Sequence, residues 1–465
     1  MNTRSRLSTR PDASAKRVKK KDTTGPLFLA QHEEIQALMD RFMATPPTGE
    51  AVHELERLVR TAIFKPATEL VAFLLQAAVD RIEAAYHPKP GEQRKGREEL
   101  QVQCLFGTFR LRRTYYYHPG RQSGHYPADA ALGLEGGYTP ALAGLICLEG
   151  ADEVAYQKAE LHLHETGGIS VDMRQIQRVV QRIGPAAHRW QQHRQIAPDT
   201  APLPVMYVSA DGTGVPMRKS ELLGRKGKQS DGTSKTRQVY LGCVFTQHGR
   251  DEKGRPLRDY QSTSYVSHLG PLADFAPILR REALCRGMGN AAHVVVLIDG
   301  AEGLECMGRD YFPGCTQIVD FYHAMEHGSH VLAALLGSKD NPVFKPRLHQ
   351  WAKALLRNGV DKLVETIREE CRGKPNAESV EKELGYFIRN SARMQYGTFR
   401  KAGLFIGSGV VEAGCKTVIG CRCKQSGMHW VVSGAQNVLA LRCLHASRRL
   451  SAFWQYRLRT RARAA

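Results

Sequence analysis

Apolar residues recur along the chain first at helical spacing, then at strand spacing, then in longer alternating blocks. Residues 27–44 place Phe28, Ile35, Leu38, Met39 and Phe42 on one face of a predicted helix. Two more helices are predicted over 51–63 and 67–86, divided at Pro66, a residue suited to the first position of the second helix. The run His87-Pro-Lys-Pro-Gly91 breaks that pattern. Over 99–117 the period shortens to two, with Leu100, Val102 and Cys104, then Phe109, Leu111 and three consecutive tyrosines. Phe106-Gly-Thr108 between them predicts the turn of a hairpin. Residues 139–187 return to helix. Within them, 152–165 and 171–184 flank Thr166-Gly-Gly-Ile-Ser170, the order of a helix-turn-helix. Its second helix carries Arg174, Gln175, Gln177, Arg178, Gln181 and Arg182, which suit base edges or phosphates. An ordinary helical hairpin has the same pattern.

Residues 186–203 are polar and contain proline, as a linker does. Beyond them, strands are predicted at 205–210, 238–246, 260–267, 293–298 and 316–319, with a helix at 272–286 between the third and fourth. The first three follow one another directly, which predicts antiparallel pairing; the later alternation with helices predicts parallel strands. Residues 322–396 are mostly helical, and 345–395 reads as a helical insertion. The expected fold class is therefore α/β. The order of elements is that of a ribonuclease-H-like domain, with 204–344 as its first part, 345–395 inserted, and 396–465 completing it. A mainly helical region with a β-hairpin, 26–187, precedes it.

Charge adds a partner to this picture. The 465 residues carry a net charge of +20, and such an excess favours a polyanion, because each neutralised phosphate releases counterions. Residues 1–25 hold eight Lys and Arg against two Asp and predict a disordered basic tail. Residues 212–237 hold seven Lys and Arg, including Arg225, Lys226 and Lys228, against Glu221 and Asp231. Residues 441–465 hold seven Arg and no acid. Both basic segments are expected to touch phosphate. No unbroken run of 18 apolar residues occurs, so no membrane span is expected, and no secretory h-region follows the N-terminus. The eleven cysteines are irregularly spaced, which predicts reduced thiols, a cytoplasmic protein and no Cys-based zinc framework.

Two carboxylates stand at predicted strand ends. They are Asp211 in Met206-Tyr-Val-Ser-Ala-Asp211-Gly and Asp299 in Val294-Val-Val-Leu-Ile-Asp299-Gly. Asp-Gly at a strand end is commonly just a turn. If the strands are neighbours, however, both acids enter the crevice where ligands of open α/β sheets bind. Two close carboxylates repel unless protonated or bridged by a cation, and magnesium is the hard ion that takes oxygen ligands. A third carboxylate would complete a two-metal site for phosphoryl transfer. Glu302, Glu305, Glu326 and Glu412 are the candidates for it. No Gly-x-Ser-x-Gly elbow, P-loop or dinucleotide fingerprint competes. His323 and His327 are spaced as a helical pair, but Ala324 stands where a zinc protease has glutamate.

The segment Gly407-Ser-Gly-Val-Val-Glu412-Ala-Gly-Cys-Lys416, followed by Arg422, Lys424-Gln-Ser-Gly-Met428 and Trp430, resembles the glutamate motif of bacterial insertion-sequence transposases of the ISKra group, themselves distantly similar to Mutator-like transposases. Ala210-Asp211-Gly-Thr-Gly-Val-Pro216, Ile298-Asp299-Gly-Ala301, Asp320-Phe-Tyr-His323 and Tyr396-Gly-Thr-Phe-Arg-Lys-Ala-Gly-Leu404 fit the same group in order. The resemblance runs from about 130 to 450 and is most specific at the glutamate motif. It implies a DDE transposase in which Asp211, Asp299 and Glu412 bind Mg2+, or Mn2+ in its place. Asp320 and His323 would support the site, and Lys416, Arg422 and Lys424 would join Arg174, Arg178, Arg225, Lys226 and Lys228 on DNA. The implied partners are double-stranded transposon ends and target DNA, bound by a dimer or larger assembly at the nucleoid. A non-catalytic DNA-binding derivative and a stand-alone nuclease are the alternatives. Ser408 is the expected cap of a helix over 410–418, Lys416 the expected partner of Glu412, and Cys415, where the group has alanine, is expected to leave the chemistry untouched.

Overall fold

A strand that can be buried on both faces reads as an unbroken apolar run, as Val294-Val-Val-Leu-Ile298 does. The computed structural model describes residues 25–46, 48–196, 202–227, 229–230 and 232–464, and in it this run is an inner strand of a mixed sheet. The basic tail expected over 1–25 lies, but for Gly25, outside the described residues. The chain divides into two compact units, Met1–Ala128 and Asp129–Ala465.

The first unit holds helices α1 (Gly25–Met43) and α2 (Gly49–Ala85) and an antiparallel sheet of β1 (Gln93–Gln103), β2 (Thr108–His118) and β3 (Ser123–His125). The predicted hairpin is present, with Leu100 opposite Leu111 and Val102 opposite Phe109. The predicted break at Pro66 is absent, and α2 runs 37 residues through it. A proline removes one N–H from a helix. Here contacts on both sides hold the axis: Lys65 pairs with Glu34 of α1 at 2.6 Å, and Gln76 exchanges two hydrogen bonds with the Arg112 backbone of β2, both 3.0 Å. One described helix, α2, is long and apolar enough to cross a membrane by length and composition alone, which by itself does not make it a span. Lys65 and Glu69 interrupt its apolar run, so a search for unbroken stretches passes over it.

The division between the units falls inside a short helix, α3 (Pro127–Ala131). In the second unit α4 (Pro140–Asp152), α5 (Tyr156–Gly167) and α6 (Met173–His193) come first. The predicted turn is there: Gly168 ends α5 at φ 59°, and Asp172 caps α6 by accepting from the N–H groups of Arg174 and Gln175. Ile176, Val179, Val180, Ile183 and Ala187 give α6 a buried stripe at helical spacing. It packs on α4, α5 and the later helix α16 (Val432–Ala446). The region expected over 26–187 is thus not one body. Its last three helices are built into the unit that holds the mixed sheet. The expected linker at 186–203 is also shorter than its composition suggests, because α6 continues through Pro185 to His193.

That sheet comprises β4 (Leu203–Pro216), β5 (Thr236–Arg250), β6 (Pro256–Arg258), β7 (Ser264–Leu269), β8 (Ala291–Ile298) and β9 (Thr316–Val319), with α7 (Leu272–Cys285) and α8 (Glu302–Tyr311) between them. Its order is β6-β5-β4-β8-β9, and β7 also pairs with β5. β4 and β5 are antiparallel; β4, β8 and β9 are parallel, as the element order predicts. Alternate residues of β4 serve opposite faces. Met206, Val208 and Ala210 join Phe275, Leu279, Ile298 and Leu304 in a core under α7 and α8. On the other face Tyr207 stacks on Phe245 at 4.9 Å, with Phe405 edge-on at 5.3 Å. The helices α9 (Phe321–Leu336), α10 (Phe344–Leu355), α11 (Val360–Cys371) and α12 (Ala377–Asn390) cover the predicted helical stretch, followed by α13 (Tyr396–Lys401). The chain then enters α14 (Gly409–Gly414), a π-helical turn over Cys415–Gly420, α15 (Cys421–Cys423), α16 and α17 (Leu450–Ala464).

Candidate active site

Parallel neighbours whose pairing stops at the same level open a crevice there. β4 and β8 pair as far as Ser209 and Leu297. Asp211 and Asp299 each stand two residues beyond that last pair. Asp211 is not at the end of its strand, as its Asp-Gly suggested. β4 runs on to Pro216, still paired with β5, Asp211 lying opposite Leu241. Gly212 permits this close pairing, since a Cβ there would meet the Gln238 amide at 2.2 Å. Asp299 does follow the end of β8. Its Oδ1 accepts from Ala301 N–H at 2.8 Å, and Gly300 turns the chain at φ 83°.

The Asp211 carboxyl is set by its surroundings. Burial pushes the Asp211 carboxyl up, a hydrogen bond from the Cys415 thiol and one from Gly212 N–H pull it back, the Asp299 charge pushes it up, and His323 opposes that. Cys415 therefore touches the candidate chemistry directly, against expectation. Its own thiol is pushed far up by burial and by Asp211.

Glu412 reaches the same place by two ties. Cys415, the Asp211 partner, lies one helical turn after it. Ser408 Oγ donates to Glu412 Oε1 at 2.9 Å while Ser408 N–H donates to Asp320 Oδ2. Ser408 therefore orients the glutamate and makes no side-chain capping bond to α14. Asp320 is fully buried at the end of β9. It caps α9 through His323 N–H at 2.7 Å, and its own N–H donates to Ile298 O at 2.7 Å. The Asp-x-x-His element is thus a strap between β8, α9 and the loop before Glu412. Lys416 forms no ion pair with Glu412; it is exposed. Lys424 donates to Thr213 Oγ1 on β4.

Among the described residues, no Lys, Arg or His forms an ion pair with Asp211, Asp299 or Glu412, although ion pairs are common elsewhere in the unit. Carboxylates that repel one another without a countercharge are the donor set of a hard cation, so their chemistry fits magnesium. The three do not all bring an oxygen within 4.8 Å of one another; Glu412 is turned to Ser408.

Arg422, expected on DNA, is 1% exposed. It donates to Gly150 O and Val154 O and lies between the Tyr156 and Trp430 rings, 4.6 and 5.1 Å from their centroids. It is part of the core because Trp430 is drawn in by β-type hydrogen bonds to Pro216 O and Arg218 N–H. Arg422→Ala is expected to lower unfolding stability by about 2–4 kcal/mol, read by denaturant titration, with DNA contacts altered only through the fold. Four arginines of the basic segment 441–465 are engaged within the protein, while Arg448 and Arg459 are exposed. Arg442 donates to Thr417 O and Val418 O in the π-helical turn, Arg449 pairs with Glu282, and Arg457 and Arg461 pair with Glu135. Sequence reasoning counted Arg442 only as part of a phosphate-binding segment, whereas its guanidinium donates to main-chain carbonyls. Arg174, Arg178, Arg225, Lys226, Lys416 and Lys424 are exposed, as phosphate contacts must be; Lys228 lies outside the described residues.

No protein-family model matches the chain, and no curated protein matches it. Among solved structures it is similar to the Drosophila P element transposase strand transfer complex, at 11% sequence identity and a TM-score of 0.24, over 70% of this chain and 81% of that one. At that level the likeness fixes neither fold nor chemistry.

Proposed function

We propose that the chain is a DDE-type DNA transposase with a ribonuclease-H-like catalytic domain, in which Asp211, Asp299 and Glu412 are the catalytic carboxylates. One observation carries this reading. Two mutually repelling aspartates flank the point where β4 and β8 part, and the helix of Glu412 is tied to that point through Cys415 and through Ser408 and Asp320. The resemblance of the glutamate motif to ISKra-group transposases names the chemistry. Phosphodiester hydrolysis at the element ends frees a 3′-hydroxyl, and that hydroxyl attacks target DNA. Magnesium, when bound, supplies the charge that activates the nucleophile and stabilises the leaving oxygen. Asp211 and Asp299 would hold it, with Cys415 and Gly212 N–H fixing the Asp211 carboxylate and Ser408 holding Glu412 beside them. His323 is a positive neighbour for Asp211 when protonated.

DNA is read here as binding the exposed cations Arg174 and Arg178 on α6, Arg225 and Lys226 in the loop after β4, and Lys416 and Lys424 near the carboxylates. A dimer or larger assembly holds two transposon ends, and the protein acts at the nucleoid. Arg174→Ala and Arg178→Ala are each expected to lower the slope of log affinity against log salt by about one; filter binding over a salt series reads it. The function itself is tested with labelled DNA from the flanks of the gene, a target plasmid and Mg2+ or Mn2+. Joined products are expected. Cleavage without joining would point to a nuclease, and binding without cleavage at either metal to a non-catalytic derivative.

A further inference from the structure

His327 and His330 stand three residues apart on α9, and α12, which packs along α9, carries Glu383. One ligand atom from each lies within 4.8 Å of the other two. The imidazole rings are 6.1 Å apart and nearly perpendicular, at 80°. Among the described residues Glu383 forms no ion pair, not even with the two histidines, and neither ring makes a side-chain hydrogen bond. His327 Nδ1 is buried with no partner, a state that costs about 1–3 kcal/mol unless a ligand takes the nitrogen. Burial, and then His330, push the His327 imidazole down from its ordinary value, and it is the neutral imidazole that a metal binds.

We propose that His327, His330 and Glu383 form a three-ligand site for a first-row transition metal, zinc by preference, separate from the Asp211–Asp299 pair. Two imidazoles and one carboxylate suit zinc, with a fourth position left to water, whereas magnesium and calcium prefer all-oxygen sites. The sequence hid this set because Glu383 is more than fifty residues away and because the eye falls on His323 and His327. The two differ in their neighbours: His323 Nδ1 pairs with Glu326 at 3.7 Å, and His327 lies on Tyr386 of α12.

The site has a route to the carboxylates. The His327 ring lies flat on Tyr386, with centroids 3.7 Å apart and planes at 14°. Tyr386 Oη donates to the main-chain carbonyl of Asp299 at 2.7 Å, and a Cβ on Gly300 would meet Tyr386 Oη at 2.8 Å. A metal that fixes the His327 ring fixes the platform on which the Asp299 turn rests. Tyr386 is thus a positioning residue. This coupling rests on the transposase reading; the metal site does not.

The test uses full-length protein stripped with a chelator and titrated with Co2+ in a buffer holding excess Mg2+. A four-coordinate site with nitrogen ligands gives Co2+ strong visible absorption, which Zn2+ then bleaches. We expect wild type to show it, and His330→Ala and Glu383→Gln each to weaken Co2+ binding about tenfold or more. His330 is exposed and Glu383 half-buried, so both variants are expected to fold; thermal melts of the stripped proteins check this. Asp299→Asn is expected to keep the signal. Absence of the signal in wild type, or equal Co2+ affinity in folded His330→Ala and Glu383→Gln, overturns the site. So does loss of the signal in Asp299→Asn with retention in His330→Ala. Co2+ binding as expected, with no DNA chemistry from the same preparation, would remove the transposase reading and leave the metal site standing.

Discussion

Asp299→Asn is expected to abolish strand cleavage and joining, by about a thousandfold or more, while leaving the fold at least as stable. The rate effect follows from the carboxylate's role. A metal site contributes several kcal/mol of charge stabilisation to phosphoryl transfer, and about 4 kcal/mol is a factor of about a thousand. The stability effect follows from the pair. Asp299 and Asp211 confront each other with, among the described residues, no Lys, Arg or His ion-paired to either, and burial has already raised the Asp211 carboxyl. A group whose folded value is raised holds its proton more tightly in the folded state, so the stability it contributes is present at low pH. That contribution falls as pH climbs from the ordinary value, 3.8, to the raised one, and is absent above it. Removing either charge relieves this at neutral pH. Asp211→Asn and Asp299→Asn are therefore expected to melt no lower than wild type in chelator. Wild type alone is expected to gain stability on adding Mg2+. Gel assays of labelled DNA read the first effect and calorimetry the second. Equal activity from Asp299→Asn would remove it from the site.

Much of the mixed sheet was legible because buried strands advertise themselves. The β-branched run of β8 and the short Thr316-Gln-Ile-Val319 lie where predicted, and Asp299 directly follows β8, whereas Asp211 lies within β4. What was not legible depends on contacts between distant segments. Pro66 sits in a continuous helix because α1 and β2 brace it. Arg422 and Arg442 looked like phosphate ligands, since charge in a sequence carries no sign of which way it faces. Only the packing of α4 and α16 reveals the carbonyls they serve. Cys415 was set aside as a neutral departure from a motif, yet the π-helical turn that begins there brings its thiol to Asp211. No local pattern announces a π-turn.

Asp320→Asn is expected to cost both stability and activity, which separates it from Asp299→Asn. Asp320 is fully buried and has acceptors committed in two directions: Oδ1 to His323 N–H at the start of α9, and Oδ2 to Ser408 N–H before Glu412. An amide can keep only one of them. If its oxygen stays on His323, its NH2 faces the Ser408 N–H, donor against donor; if it flips, α9 loses its cap. A lost cap costs about 1 kcal/mol, and a broken hydrogen bond to a buried charged group about 1.5–3 kcal/mol. A loss of about 2–4 kcal/mol in unfolding free energy is expected, measured by denaturant titration. The functional loss has a different origin. Ser408 holds the Glu412 carboxylate through its hydroxyl at 2.9 Å, and Ser408 is itself held by Asp320. Freed from Asp320, the 407–408 loop no longer sets where that carboxylate lies, and small displacements of a catalytic group cost about a hundredfold. The loss should persist at temperatures far below the melting transition, where nearly all of the variant is folded. If activity instead tracks only the folded fraction, Asp320 holds the fold together but does not position Glu412.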